Sequence, residues 1–208
     1  MVAQKWLLLG RLVPHGDANA TLWDARSLGA ACWLAQFRVN LNVDAWLQPL
    51  AYTEVYAMLW RRLGATVGTC SRIGRVGPPD HDVIATGDRC YVETAGSVYA
   101  HDFAGSGLLA FRRCAIEDDA SVLSVCAVLP GATVARGAVV GPGSMCLRGR
   151  YGPAPGAVVP PGARVAWFQG NPARPCAREG AETPRWAARA DAEWRHESDG
   201  VSVVADGD

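Results

Sequence analysis

The residues of this chain that can accept a proton near neutral pH are four histidines, His15, His81, His101 and His196. Position singles out His101. It follows Val98 by three residues and opens the stretch 99–113, which interrupts an otherwise regular pattern and contains Gly105-Ser106-Gly107. An imidazole there could take a proton from an attacking amine or hydroxyl, and Asp102 or Glu93 could orient it. Because His101 stands outside the regular pattern, its replacement is expected to spare the fold. No Ser-His-Asp or Cys-His set is legible, and Cys114 fits the repeat better than a nucleophile's role. The seven cysteines are odd in number and include no C-x-x-C pair, so they read as small buried hydrophobes in a reducing compartment. None lies at ligand spacing from a histidine, and no metal is expected.

The pattern that must position His101 has a period of six. Ile116, Val122, Val128, Val134, Val140 and Cys146 follow one another at that step. A small residue recurs two positions earlier, at Cys114, Ala120, Cys126, Ala132, Ala138 and Ser144, and glycine recurs three positions later, at Gly131, Gly137 and Gly143. Helices repeat every 3.6 residues and strands every 2, so neither predicts this. A solenoid coil with three flat faces does, since each face needs one inward aliphatic and each corner a small residue. The expected class is therefore mainly β: a left-handed parallel β-helix, or hexapeptide-repeat solenoid, over residues 65–175. A weaker block, Thr86, Val92 and Val98, precedes the stretch 99–113, which is expected to leave the coil as a binding or catalytic loop. Val67 and Ile73 begin the coil. Val159 and Val165 resume it, and Trp167 to Pro175 end it.

Residues 1–64 read as an N-terminal helical segment packed on the solenoid. Lys5 to Gly10 is expected to be extended, Asn19 or Thr21 to cap a helix running to Phe37, and Thr53 to cap another through Arg62 with Gly64 just beyond it. Val55, Leu59 and Leu63, joined by Met58, form the expected packing stripe of that second helix. Residues 176–208 are charged and lack apolar periodicity. They read as a disordered tail with a short helix near Thr183 to Arg195.

Twenty basic residues balance twenty acidic ones, so no overall field draws the chain to nucleic acid. No run of about 18 uncharged apolar residues occurs, which makes a soluble, cytoplasmic chain the expectation. Trp33, Trp46 and Trp60 read as packing residues.

Two resemblances follow from these motifs. The six-residue period with Gly170-Asn171-Pro172-Ala173 at its end resembles the hexapeptide acyltransferases, in which such a segment lies near the acyl donor. Lys5-Trp6-Leu7-Leu8-Leu9-Gly10-Arg11, Trp23, Leu59-Trp60-Arg61-Arg62-Leu63-Gly64-Ala65, the histidine after Val98 and Gly170 to Pro175 together resemble the C-terminal domain of the ε-poly-L-lysine synthetase family of nonribosomal peptide synthetases. That likeness spans residues 5–175. Glu93-Thr94-Ala95 and Ala104-Gly105-Ser106 stand where the family has an Asn and a Glu-Asp-Arg group.

The resemblance implies an amide-forming acyltransferase that joins a carrier-bound aminoacyl thioester to an amine such as an amino acid. His101 would be its general base, with Asp102 or Glu93 beside it. The donor would be a phosphopantetheine thioester on a carrier protein, or an acyl-CoA, flanked by Trp167, Gly170, Asn171, Ala173 and Arg174, mainly through their backbone groups. Implied partners are carrier and adenylation domains and sister solenoids, as a homotrimer or a tandem pseudo-trimer, in a synthetase whose cytoplasmic part is membrane-anchored. A free-standing acetyl-CoA-dependent O- or N-acetyltransferase and a non-catalytic scaffold copy are the alternatives.

Overall fold

The computed structural model describes residues 1–12, 21–75, 77–104, 107–160 and 166–176. The tail, its expected helix over Thr183–Arg195, Asn19, Gly105-Ser106 and Val165 lie outside the described residues.

The N-terminal part holds α1 (Val2–Leu8), β1 (Thr21–Asp24), α2 (Leu28–Leu47) and α3 (Glu54–Leu63). The rest is a solenoid with three walls. The first wall stacks β2 (Thr66–Val67), β4 (Ile84–Thr86), β9 (Cys114–Ile116), β12 (Ala132–Val134) and β15 (Gly149–Tyr151). The second stacks β3 (Arg72–Ile73), β5 (Tyr91–Val92), β10 (Ser121–Val122), β13 (Ala138–Val140) and β16 (Ala166–Gln169). The third is shorter, with β6 (Ser97–Val98), β11 (Ala127–Val128) and β14 (Met145–Cys146). Every pairing between neighbouring coils is parallel, and only β17 (Arg174–Pro175) turns back, antiparallel to β16.

The six-residue step is the step from wall to wall. Ile116 lies over Val134 in the first wall, Val122 over Val140 in the second and Val128 over Cys146 in the third. Each pair is eighteen residues apart, and all six side chains are buried. Burial of such a side chain contributes about 1.5–3 kcal/mol, so a few coils suffice for a core. The small positions Cys114, Ala120, Cys126, Ala132, Ala138 and Ser144 are buried beside them. The corners demand left-handed backbone. Gly137 and Gly143 supply it at φ 67° and 70°, while one coil earlier Asp119 and Val125 occupy the same slots at 60° and 59°.

The N-terminal expectations need correction. Lys5 to Gly10 is not extended. Val2–Leu8 is helical, and buried Lys5 donates to the Gly10 carbonyl (2.7 Å) and lies 3.4 Å from Asp82. Burial pushes the Lys5 ammonium below its ordinary range and the Asp82 carboxyl above its own, each partly offset by the other's charge. Thr21 opens a strand rather than a helix, because Thr21–Asp24 pairs with Leu108–Phe111. Ser27 caps α2, its hydroxyl accepting from the Ala30 N–H (3.2 Å). Thr53 caps α3 and Gly64 ends it at φ 111°, as read from the sequence. The buried face of α3, however, is Tyr56, Ala57, Trp60 and Leu63, whereas Val55 and Met58 are exposed. The aromatic side chains have more area to bury and win the inner face.

Candidate active site

The stretch 99–113 is a β-hairpin, not an irregular loop. Its strands β7 (His101–Ala104) and β8 (Leu108–Phe111) pair antiparallel, and β1 adds to β8 as a third strand. A two-stranded ribbon is marginal alone, and the third strand supports it. Side chains alternate across β7. His101 and Phe103 face the helices, while Asp102 faces the other way and holds Arg112 of the hairpin's return (2.8 Å).

His101 therefore meets α2 and the segment before β4. Its Nδ1 lies 2.5 Å from Asp80 Oδ2, and that oxygen also accepts from the Ala100 N–H (3.1 Å). The other oxygen, Oδ1, accepts from the Trp33 indole N–H (2.9 Å). Asp80 is fully buried and reached by three N–H groups, which is how a buried carboxylate is kept. An acceptor-only carboxylate assigns the Nδ1 proton to the imidazole, which leaves the Nε2 lone pair free. The Trp33 ring meets the imidazole edge to face (4.5 Å, 64°), with Tyr99 and Phe103 about it at 6.0 and 6.2 Å. The imidazole side chain keeps 13% of its exposure. Such an arrangement can accept a proton at a fixed point and stabilise the imidazolium that results.

The sequence singled out His101 but not Asp80 or Trp33. Asp80 lies 21 positions upstream, where the first coil should have formed its third-wall strand. Among the described residues no such strand exists. Pro78-Pro79 occupy the stretch, and proline gives a ladder no donor. The two acidic residues proposed as orienters lie elsewhere. Asp102 is turned to Arg112 by strand alternation. Glu93, at the corner after β5, accepts from Tyr52 (2.6 Å) and Tyr91 (2.5 Å), whose hydroxyls hold its carboxyl below the usual range. Nor is His101 a loop residue apart from the core: it caps a buried carboxylate, so its removal must disturb the fold.

The segment proposed for the donor forms the end of the coil. Gly170 donates to Ser144 Oγ (3.1 Å) and its carbonyl accepts from Met145 (3.0 Å), while buried Ala173 donates to the Met145 carbonyl (2.7 Å). These backbone groups are committed within the coil and do not fit the role of contacts to a pantetheine arm. The Trp167 indole lies over Gly141, and Asn171 and Arg174 are exposed. Among the described residues no hydrogen bond or ion pair joins this segment to His101, and no group of His, Cys, Asp and Glu is arranged to hold a metal. Burial pushes the thiols of Cys90, Cys114 and Cys146 up to about 12, which suits core residues and not nucleophiles. No described helix is long and apolar enough to cross a membrane.

No family model and no curated protein matches the chain. Solved structures similar to it include a hexapeptide-repeat acetyltransferase and other acetyl- and acyltransferases. A Vibrio cholerae enzyme of the first description, complexed with acetyl coenzyme A, is 18% identical over 74% of this chain and 91% of its own, with a TM-score of 0.44. A maltose O-acetyltransferase of Clostridium difficile is 14% identical over 76% and 92%, with a TM-score of 0.46. Neisseria gonorrhoeae serine acetyltransferase is 17% identical over 78% and 57%, with a TM-score of 0.38. Likeness at this level carries no activity over to the chain.

Proposed function

We propose that this chain is an acyltransferase of the left-handed hexapeptide-repeat kind, taking its acyl group from a coenzyme A thioester and passing it to an amine or hydroxyl. The observation that carries the reading is the Asp80–His101 pair, mounted on a hairpin that leaves a six-residue-repeat solenoid. His101 Nε2 takes the acceptor's proton as nitrogen or oxygen attacks the thioester carbonyl carbon. Asp80 holds the Nδ1–H and offsets the charge on the imidazolium, which then returns the proton to the departing thiolate. When bound, the donor supplies an activated acyl carbon, and Trp167, Asn171 and Arg174 are the side chains proposed to hold it. Sister copies are expected to pack three to an assembly. The carrier-bound aminoacyl donor, with carrier and adenylation domains as partners, rests on the sequence resemblance over residues 5–175 alone, and the coenzyme A reading stands ahead of it.

The test is thiol release from acetyl-CoA, followed by a chromogenic disulfide across a panel of amines and hydroxyl compounds, beside a thermal-shift screen with coenzyme A and a loaded carrier domain. Release that depends on an acceptor and is lost in His101→Asn is the expected result. A melting temperature that moves with no donor, together with no thiol release, would overturn the proposal in favour of a scaffold.

A further inference from the structure

We infer that Trp33 of α2 is a positioning residue for His101, its indole N–H setting which imidazole nitrogen is free to accept a proton; this rests on reading His101 as the base. Among the described residues the first coil shows no third-wall strand, and of those in 74–80 Gly74 alone makes a bond to the next coil through its backbone N–H, donating to the Val92 carbonyl (2.9 Å). Side chains of the helical segment supply four further bonds. Gln48 Nε2 donates to the Gly74 carbonyl (3.3 Å), Trp60 Nε1 to the Arg75 carbonyl (3.0 Å), Asn40 Nδ2 to the Gly77 carbonyl (3.2 Å) and Trp33 Nε1 to Asp80 Oδ1 (2.9 Å). The last of these differs in kind, because its acceptor is the carboxylate that holds the imidazole.

Asp80 Oδ1 has no other donor among the described residues, whereas Oδ2 has two, the Ala100 N–H and His101. Without the indole N–H a buried oxygen would be left bare beside aromatic rings, and the carboxyl group would rotate to relieve it. That rotation releases the imidazole Nδ1–H, and the proton can then reside on Nε2, where it blocks the base. The edge-to-face ring contact adds a second restraint, since a flip of the imidazole must pass the indole. The helical segment thus carries part of the site's geometry as well as part of the core.

The test separates the N–H from the ring. In ¹⁵N-histidine-labelled protein the His101 signal, identified by its loss in His101→Gln, should report a protonated Nδ1 and a bare Nε2. In Trp33→Phe the Nε2–H form should gain population, and turnover should fall about tenfold at unchanged KM for acetyl-CoA. Should Trp33→Phe fail to fold, 3-benzothienylalanine at position 33 keeps the shape and removes only the N–H. A folded isostere variant with an unchanged His101 tautomer overturns the inference. The tautomer needs no turnover to be read, so a shifted tautomer in an inactive protein would sink the acyltransferase reading and leave the role of Trp33 standing.

Discussion

His101→Ala and His101→Asn differ in one respect that the structure makes decisive. Alanine removes the donor to Asp80, and asparagine returns an amide N–H close to where Nδ1 was. Asp80 is fully buried, and the lost contact is a 2.5 Å bond to a carboxylate oxygen. A hydrogen bond to a charged group contributes about 1.5–3 kcal/mol. The imidazole's packing on Trp33 adds about 0.5–1.5 kcal/mol. Two N–H groups remain on Asp80 in the alanine variant, which keeps the loss below that of an unpaired buried charge. His101→Ala should therefore destabilise by about 3 kcal/mol and lower the melting temperature by roughly 6–12 °C for a chain of this length. His101→Asn should lose about a third of that, since only the ring contact goes. Both should lose acyl transfer by about 10²–10⁴, because neither has a base at Nε2. Calorimetry beside the thiol-release assay reads both quantities. If His101→Ala melts with the wild type, Asp80 and His101 are not paired in solution and the argument from the dyad collapses.

Two further outcomes follow from the coil. Val125 sits at φ 59° with 71% of its surface exposed, in a corner slot that Gly143 fills one coil later. Val125→Gly should raise the melting temperature by about 2 °C, the relief of left-handed strain exceeding the added unfolded-state freedom of glycine. A lower melting temperature would contradict the strain assigned to that corner. Glu117 bridges coils by accepting from both Arg150 amino groups (2.5 and 2.8 Å) and the Arg136 N–H (3.0 Å). Burial pushes its carboxyl up, but these donors outweigh burial and hold it below the usual range. A depressed carboxylate stabilises above its unfolded pKa of about 4.3 and loses that contribution as pH falls through the folded value. Melting curves from pH 7 to 3 should accordingly show Glu117→Gln less stable than wild type at neutral pH, with the gap closing in acid. A constant gap would mean that the clamp does not depend on charge.

The walls of the solenoid were legible because each inward aliphatic sits six residues from the last, and no other secondary structure has that period. The hairpin hid in the same pattern. Val98 and Ile116 stand eighteen positions apart although they belong to successive walls, so the insertion amounts to twelve residues and preserves the phase. The partner of His101 was not legible, because the relevant signal is an absence. Ile73 and Thr86 are thirteen residues apart, one more than the twelve that separate Val122 from Val134, so the spacing leaves room for a third-wall strand and only Pro78-Pro79 argues against one. A side chain standing in that gap contacts the next coil, and nothing local in the sequence says so. The start of α2 was not legible for a related reason. Thr21–Asp24 is a strand only because Leu108–Phe111 offers it an edge, a tertiary fact that outweighs local propensity.

The absence, among the described residues, of a third-wall strand in the first coil also bears on the packing of the N-terminal segment. The sides of α2 are not divided into an apolar inner and a polar outer face: Leu28 and Trp46 are exposed, while Gln36 and Asn40 are buried beside Trp33. Its inner face has two surfaces to satisfy at once. One is the 74–80 segment, whose carbonyls need donors that a strand would have given. The other is the hairpin, whose rings of His101, Phe103 and Phe111 meet Trp33. Trp33 is the residue that meets both, because an indole has a polar edge for the carboxylate and a broad face for the rings. A strand in the third wall would have satisfied the carbonyls but offered no side chain to the imidazole. The buried acid and the hairpin histidine meet where that strand would have stood.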